Sequence, residues 1–356
     1  MQKIKLFAVL VFALFSQAAL AQDVPKIAFV YISPAGDPIG WTHEHERGRQ
    51  AVQDYFGNQV ETAFFENTPE GMEALDTFRQ IANDGYDMIF TTSFGYMQPS
   101  IQLAFEFPDL RIEQATGYVR TDNMSTYNIR FYEGRVSQGI IAGQMTETNK
   151  IGYIAAFPIP EVIRGINAAF LAARSVNPDV QFEVVWLNSW YNPQAEEAAA
   201  RQLIANGADI LIQHTNTEEP MKVAEELGAF AFGQSSDMGA YGPNAQLSAT
   251  VNNWAPYYIS RVQAFLDGTW ESSDTWGGLN SDMVEIAPFS DRIPLRIQAQ
   301  AADSIARLRT GRLHPFTGPI RKQDGSGWLA AGETASDSDL LTMGFFVEGI
   351  TGIIPQ

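Results

Sequence analysis

Apolar and polar positions follow two rhythms along this chain. Short apolar runs rich in Val, Ile, Phe and Tyr, such as KIAFVYI from Lys26, VETAFF from Val60 and GYDMIFTTS from Gly85, read as strands. Between them lie segments whose apolar residues fall three and four apart, such as GMEALDTFRQIANDG, which reads as a helix from about Glu70 closed by Gly85. Strands alternating with helices predict right-handed parallel βαβ units.

The same succession then recurs. KIGYIAAF starts at Lys150, FEVVWLN ends at Asn188 and GADILIQHT starts at Gly207, each roughly 120 residues beyond its counterpart and in the same order. Asn192-Pro193 opens a helix that Gly207 closes, and the helix EGRVSQGIIAGQMTE leads into Lys150. The fold class that follows is α/β, with two Rossmann-like lobes, each on a parallel sheet, joined by a hinge. The chain is expected to cross between lobes near Thr126–Arg130, to return near Ala249–Trp254, and to cross a third time near Met283–Pro288. The first lobe then takes residues 22–127 plus about 252–282, the second 128–251 plus about 283–320, and residues 321–356 form a hairpin and short helix on the outside.

In open parallel sheets, ligands bind beyond the carboxyl ends of the strands. Two such lobes would bring those ends face to face across a cleft. The segments there are GDPIGWT with Gly40 and Trp41, SFGYM with Phe94 and Tyr96, PIPEV, NSWYNP with Asn188 and Trp190, QHTNT with Gln213 and His214, SSDM with Asp237, and NNW with Asn253 and Trp254. They are aromatic, rich in amides and short of Arg and Lys, which a phosphate or carboxylate ligand would recruit. A flat, neutral, hydrogen-bonding ligand suits them better. Trp41 from one lobe and Trp190 from the other are placed to cover the two faces of a planar ring, and Asp237, Asn188, Gln213 and Asn253 to read its nitrogens. Phe94 reads as cleft wall. Tyr96, Trp254 and His214 are placed either at the ligand or in packing.

Composition narrows the classes. The formal charge of −18 argues against nucleic acid and anionic lipid as partners, and the absence of Cys removes disulfides, thiol nucleophiles and zinc-thiolate sites. His43 and His45 stand two apart on a helix and point about 200° apart, so they do not converge on one metal ion. TTSFG resembles a nucleophile elbow that lacks its first Gly, with no Asp and His placed to complete a triad. No cofactor is called for, and an enzyme is not expected; a periplasmic nucleoside hydrolase is the weakest reading. The opening MQKIKLFAVLVFALFSQAALAQ has Lys3 and Lys5, a short apolar run, and small residues before Gln22, the order of a cleavable secretory signal over 1–21. The expectation is a periplasmic monomer with no membrane anchor.

The ordered set GWT, DMIFTTSFGYM, FPDLRIEQATGY, RFYEGR, GADI with QHT, and FGQSSDM resembles the basic membrane protein family, substrate-binding proteins of ABC importers related to purine nucleoside receptors. The resemblance runs from about Lys26 to Pro319. It implies a type I periplasmic-binding fold, a purine base or nucleoside as ligand, and an inner-membrane permease as partner. It places Trp41 and Trp190 on the two sandwiching aromatics and Asp237 on the acidic residue that bonds the ligand. Where nucleoside-binding members carry Phe-Asn this chain has Trp41-Thr42, and near their Lys it has Asn252-Asn253, so a free base such as adenine fits as well as a nucleoside. A sugar or other cyclic solute, or a sensory receptor role, are the alternatives on the same fold.

Overall fold

The computed structural model describes residues 24–355. The expected signal segment and Gln22 lie outside the described residues. In the first lobe β1 (Lys26–Val30), β2 (Glu61–Phe65), β3 (Met88–Thr91), β4 (Arg111–Ala115) and β5 (Met124–Ile129) alternate with α1 (Gly40–Phe56), α2 (Ala74–Asn83) and α3 (Met97–Glu106). After α4 (Phe131–Met145), the second lobe repeats the plan with β6 (Lys150–Ala155), β7 (Gln181–Trp186), β8 (Ile210–His214), β9 (Phe230–Ser235) and β10 (Gln246–Asn252) around α5 (Pro160–Val176), α6 (Pro193–Ala205) and α7 (Glu219–Leu227). The chain returns to lobe one with α8 (Ala255–Leu266) and β11 (Asp274–Gly277), then to lobe two with β12 (Val284–Ile286) and α9 (Leu295–Arg309).

The sheets have the orders β11-β5-β4-β3-β1-β2 and β12-β10-β9-β8-β6-β7. Every pairing in the first is parallel, and only β12 runs antiparallel in the second. Central strands β1 and β3 are buried on both faces, which is why they read as unbroken apolar runs; edge strand β2 is partly exposed and mixes Glu61 and Thr62 with Phe. The sheet-to-sheet passages fall at Arg130, at Asn253-Trp254 and between Gly277 and Val284.

Two close helix contacts set the geometry of the cleft. A Cβ on Gly48 of α1 would lie 2.8 Å from the Tyr258 ring and 3.0 Å from Cβ of Trp254, so α8 lies tight against α1 and presses Trp254 behind its first turn. In lobe two, a Cβ on Gly139 of α4 would stand 2.2 Å from the Ala169 carbonyl oxygen of α5. That approach buries α4 on nearly every side. The tail carries a small hairpin, β13 (Ile320–Arg321) and β14 (Gly327–Leu329), and the short α10 (Asp337–Leu341). It lies on lobe two, where Asn167 Nδ2 donates to Phe345 O at 2.9 Å and Thr351 donates to Phe182 O at 2.8 Å. Its Asp337 also takes two 2.7 Å bonds from Arg130 at the first passage between lobes. Among the described residues no helix is long and apolar enough to cross a membrane.

Candidate functional site

The carboxyl ends of both sheets meet across a narrow cavity with about 30 Å³ of free volume, so the lobes stand nearly closed on one another. Lobe one lines it with Ile32, Trp41, Ser93, Phe94 and Thr116, all just beyond β1, β3 and β4 or on the first turn of α1. Lobe two lines it with Glu161, Trp190, His214, Asn216, Gln234 and Ser235, at the ends of β8 and β9, beyond β7 and on the first turn of α5.

Trp41 is held firmly. Its indole N–H donates to Thr92 O at 2.5 Å. His45 and Trp254 meet the ring edge-on at 4.5 and 5.3 Å, and Phe131 packs at 6.1 Å. Trp254 is fully buried and stacks on His45 at 4.4 Å, so it backs Trp41 rather than facing the cleft. Phe131, at the first passage, touches Trp41 on one side and His214 at 5.1 Å on the other, linking the lobes. Trp190 has a looser seat, with Phe157 at 5.1 Å and His214 at 6.1 Å.

The lobes touch directly beside the cavity. The Gly40 N–H, at the open end of α1, donates to the Ser236 hydroxyl at 2.8 Å, and that hydroxyl donates to Glu44 at 2.6 Å. Lobe two thus satisfies one of the unpaired N–H groups at the start of a lobe-one helix. Gly40 has φ +93°, and a Cβ there would come 3.1 Å from Asn216 O, so glycine permits the contact. A second bridge runs from Asn128 Nδ2 to Glu161 Oε2 at 3.1 Å.

Glu161 is the cavity's carboxyl group. Burial raises its pKa, opposed by the charge of Arg164 and the Asn128 hydrogen bond. His214 Nε2 stands 3.7 Å from Glu161 Oε1, too far for a hydrogen bond, and its buried Nδ1 has no partner. Burial first, then the charges of Arg135 and Arg164, hold His214 well below the ordinary imidazole range, so it is neutral at neutral pH. Arg135 is buried behind the wall and donates to Gln138 and to the Gln213 carbonyl, at 2.7 and 2.8 Å, and to Gln234. Among the described residues no Arg or Lys side chain lines the cavity itself.

Of the residues singled out from sequence, Trp41, Trp190, Phe94 and His214 line this cavity. The structure places the others away from it. Asp237 is exposed and turned away, its Oδ1 taking the Gly239 N–H at 2.9 Å and Gln246 Nε2 at 2.6 Å. Two residues before it, Ser235, the last residue of β9, takes a left-handed backbone at φ +61°. Asn188 is itself left-handed, at φ +52°, and serves the turn after β7. Gln213 and His214 are neighbours on β8, so only one side chain faces the cavity; Gln213 points the other way, onto Thr215 O and Thr217 O. Tyr96 is buried against Phe78 and donates to Thr68 O at 2.6 Å. Asn253 bonds Glu285 at 2.9 Å at the second passage, and Gly40 belongs to the lobe contact. Glu161, Ser93, Thr116, Asn216 and Gln234 were not singled out, although the first two and Asn216 fall in strand-end segments that were.

Two similar α/β lobes thus face one another across a cleft at their strand ends. Comparison with known proteins gives the family: the chain belongs to the ABC transporter substrate-binding proteins described as PnrA-like, whose model matches residues 24–306. It is 48% identical over 339 residues to a purine-binding protein of Brucella abortus, covering 95% of this chain and 96% of that one. It is 35% identical to a putative ABC transporter glucose-binding protein of Haloferax volcanii, over 94% of this chain and 82% of the other. A solute-binding protein of an ABC transporter system from Aeropyrum pernix has the same fold, with a TM-score of 0.71 at 15% identity over 88% of this chain and 95% of that chain. The protein is therefore a substrate-binding component of an ABC transporter, which takes a small molecule and works with a permease.

Proposed function

We propose that this protein captures a purine base or nucleoside between its lobes and delivers it to an inner-membrane ABC permease. The observation that carries the reading is one small cavity whose walls bring an indole from each lobe, Trp41 and Trp190, with Phe94 beside them and, among the described residues, no cationic side chain. Stacked bases on aromatic side chains gain roughly 1–3 kcal/mol each, and a neutral heterocycle needs no Arg or Lys. This reading assigns the ring edge to Glu161, His214 and Asn216, which line the cavity, in place of Asp237, which does not. The Brucella relative's name supports the ligand class. The protein acts as a periplasmic monomer after removal of residues 1–21.

The Haloferax relative favours a second reading, glucose, since indoles also stack on pyranose rings. A thermal-shift panel separates the two, because a ligand bound only by the folded state stabilises by about 2.7 kcal/mol at one hundred times its Kd. Purines should raise Tm, with pyrimidines and hexoses doing so far less. A largest shift with glucose would overturn the purine reading.

A further inference from the structure

The polar hydrogens around the cavity are unequally distributed. On the lobe-one wall every side-chain donor is already engaged: the Trp41 N–H with Thr92 O at 2.5 Å, the Thr116 hydroxyl with Ala115 O at 2.7 Å, and the Ser93 hydroxyl with the Glu70 carboxylate. Ile32 and Phe94, the other residues of that wall, have none to give. The side chains of this wall therefore offer a ligand only lone pairs. Across the cavity, Glu161 is 8% exposed; its Oε2 accepts from Asn128, while its Oε1 has no donor within hydrogen-bond distance among the described residues. Lobe two adds the side-chain donors that are not engaged among the described residues: the Trp190 indole N–H, the single N–H of neutral His214, Asn216 and Ser235. At the lobe-one side chains and at Glu161 Oε1 a ring meets acceptors, which it satisfies only with N–H groups of its own.

Resting on the purine reading above, we propose that Glu161 is the specificity-determining residue and that it selects purine bases bearing an exocyclic amino group over their oxo or unsubstituted counterparts. An amino N–H satisfies Glu161 Oε1. A carbonyl oxygen placed there faces a carboxylate lone pair, and a buried acceptor left unpaired is costly. Ser93 and Thr116 add the same demand from the opposite wall, so blocking a ring N–H by methylation also weakens binding.

Calorimetric titration with adenine, guanine, hypoxanthine and 9-methyladenine tests this on the wild-type protein. The two amino bases should bind about tenfold or more tighter than hypoxanthine, the effect of one hydrogen bond to a charged group. Glu161→Gln, which turns an acceptor-only group into a mixed donor and acceptor of the same shape, should collapse or reverse the adenine-to-hypoxanthine preference while Tm of the free protein shows that it folds. Hypoxanthine binding as tightly as adenine to the wild type, or an unchanged ratio in Glu161→Gln, would overturn the role of Glu161 and leave the purine reading standing. If none of the four binds, both fail together.

Discussion

The two lobes share a plan and differ in what they bring to the cleft. Lobe one contributes a preset surface, in which Trp41 is fixed by a hydrogen bond and by His45, Trp254 and Phe131, and its neighbouring hydroxyls are already committed. Lobe two contributes titratable chemistry: Glu161 with its pKa raised by burial, a neutral His214, and Arg135 lowered by burial just behind them. Its indole, Trp190, is held by fewer neighbours. On the proposed reading, one lobe supplies shape and the other discrimination. Such a division suits hinge closure, because a rigid platform needs no rearrangement when the reading groups swing onto the ligand.

Removing the two indoles should break this comparison most severely. Trp41→Ala and Trp190→Ala are each expected to weaken purine binding by roughly 1–3 kcal/mol, non-additively in the double variant because one closed state holds both contacts. Stability separates them. Trp41→Ala should cost roughly 3 kcal/mol in denaturant unfolding, the lower end of the range for buried aromatics, and Trp190→Ala less. Equal stability losses would contradict the contrast between a fixed and a loosely seated ring.

The titratable side is sharpened by pH. The unfolded chain protonates His214 near pH 6.5, whereas the folded protein does so well below that value. Its contribution to stability is therefore complete above about pH 6.5 and is lost as pH falls through that range towards the folded pKa, at up to about 1.4 kcal/mol per pH unit. The facing groups are Glu161 and Arg164 on α5 and Arg135 on α4. Ligand-free His214→Asn should lack this slope, seen as a wild-type minus variant difference that shrinks between pH 7 and pH 5. A difference independent of pH would show that His214 protonates freely in the fold.

What could be read from the chain divides along physical lines. The strand-helix alternation and the repeat gave two parallel-sheet lobes because buried parallel strands need unbroken apolar runs, as in β1 and β3. The aromatics Trp41, Trp190 and Phe94 were legible because large rings just beyond strand ends have few other places to go. The polar readers were not. Which side chain faces the cleft depends on strand parity at Gln213 and His214, and on the 3₁₀ turn that sends Phe94 outward and Tyr96 inward. Glu161 lies in the PIPEV segment expected at the cleft, but it follows Pro160 in the first turn of α5, where an acidic residue ordinarily complements the helix dipole, so nothing marked its own side chain as a cleft group. The smallest effect follows from the same geometry: Asp237→Asn, at an exposed turn, should change affinity by less than about 0.5 kcal/mol.

The most direct measurement is a crystal structure of the protein grown with adenine. The account expects the base between the Trp41 and Trp190 indoles, with its amino nitrogen within about 3.2 Å of Glu161 Oε1. Adenine lying against only one of the two rings, or bound with Glu161 turned away from it, would contradict the account.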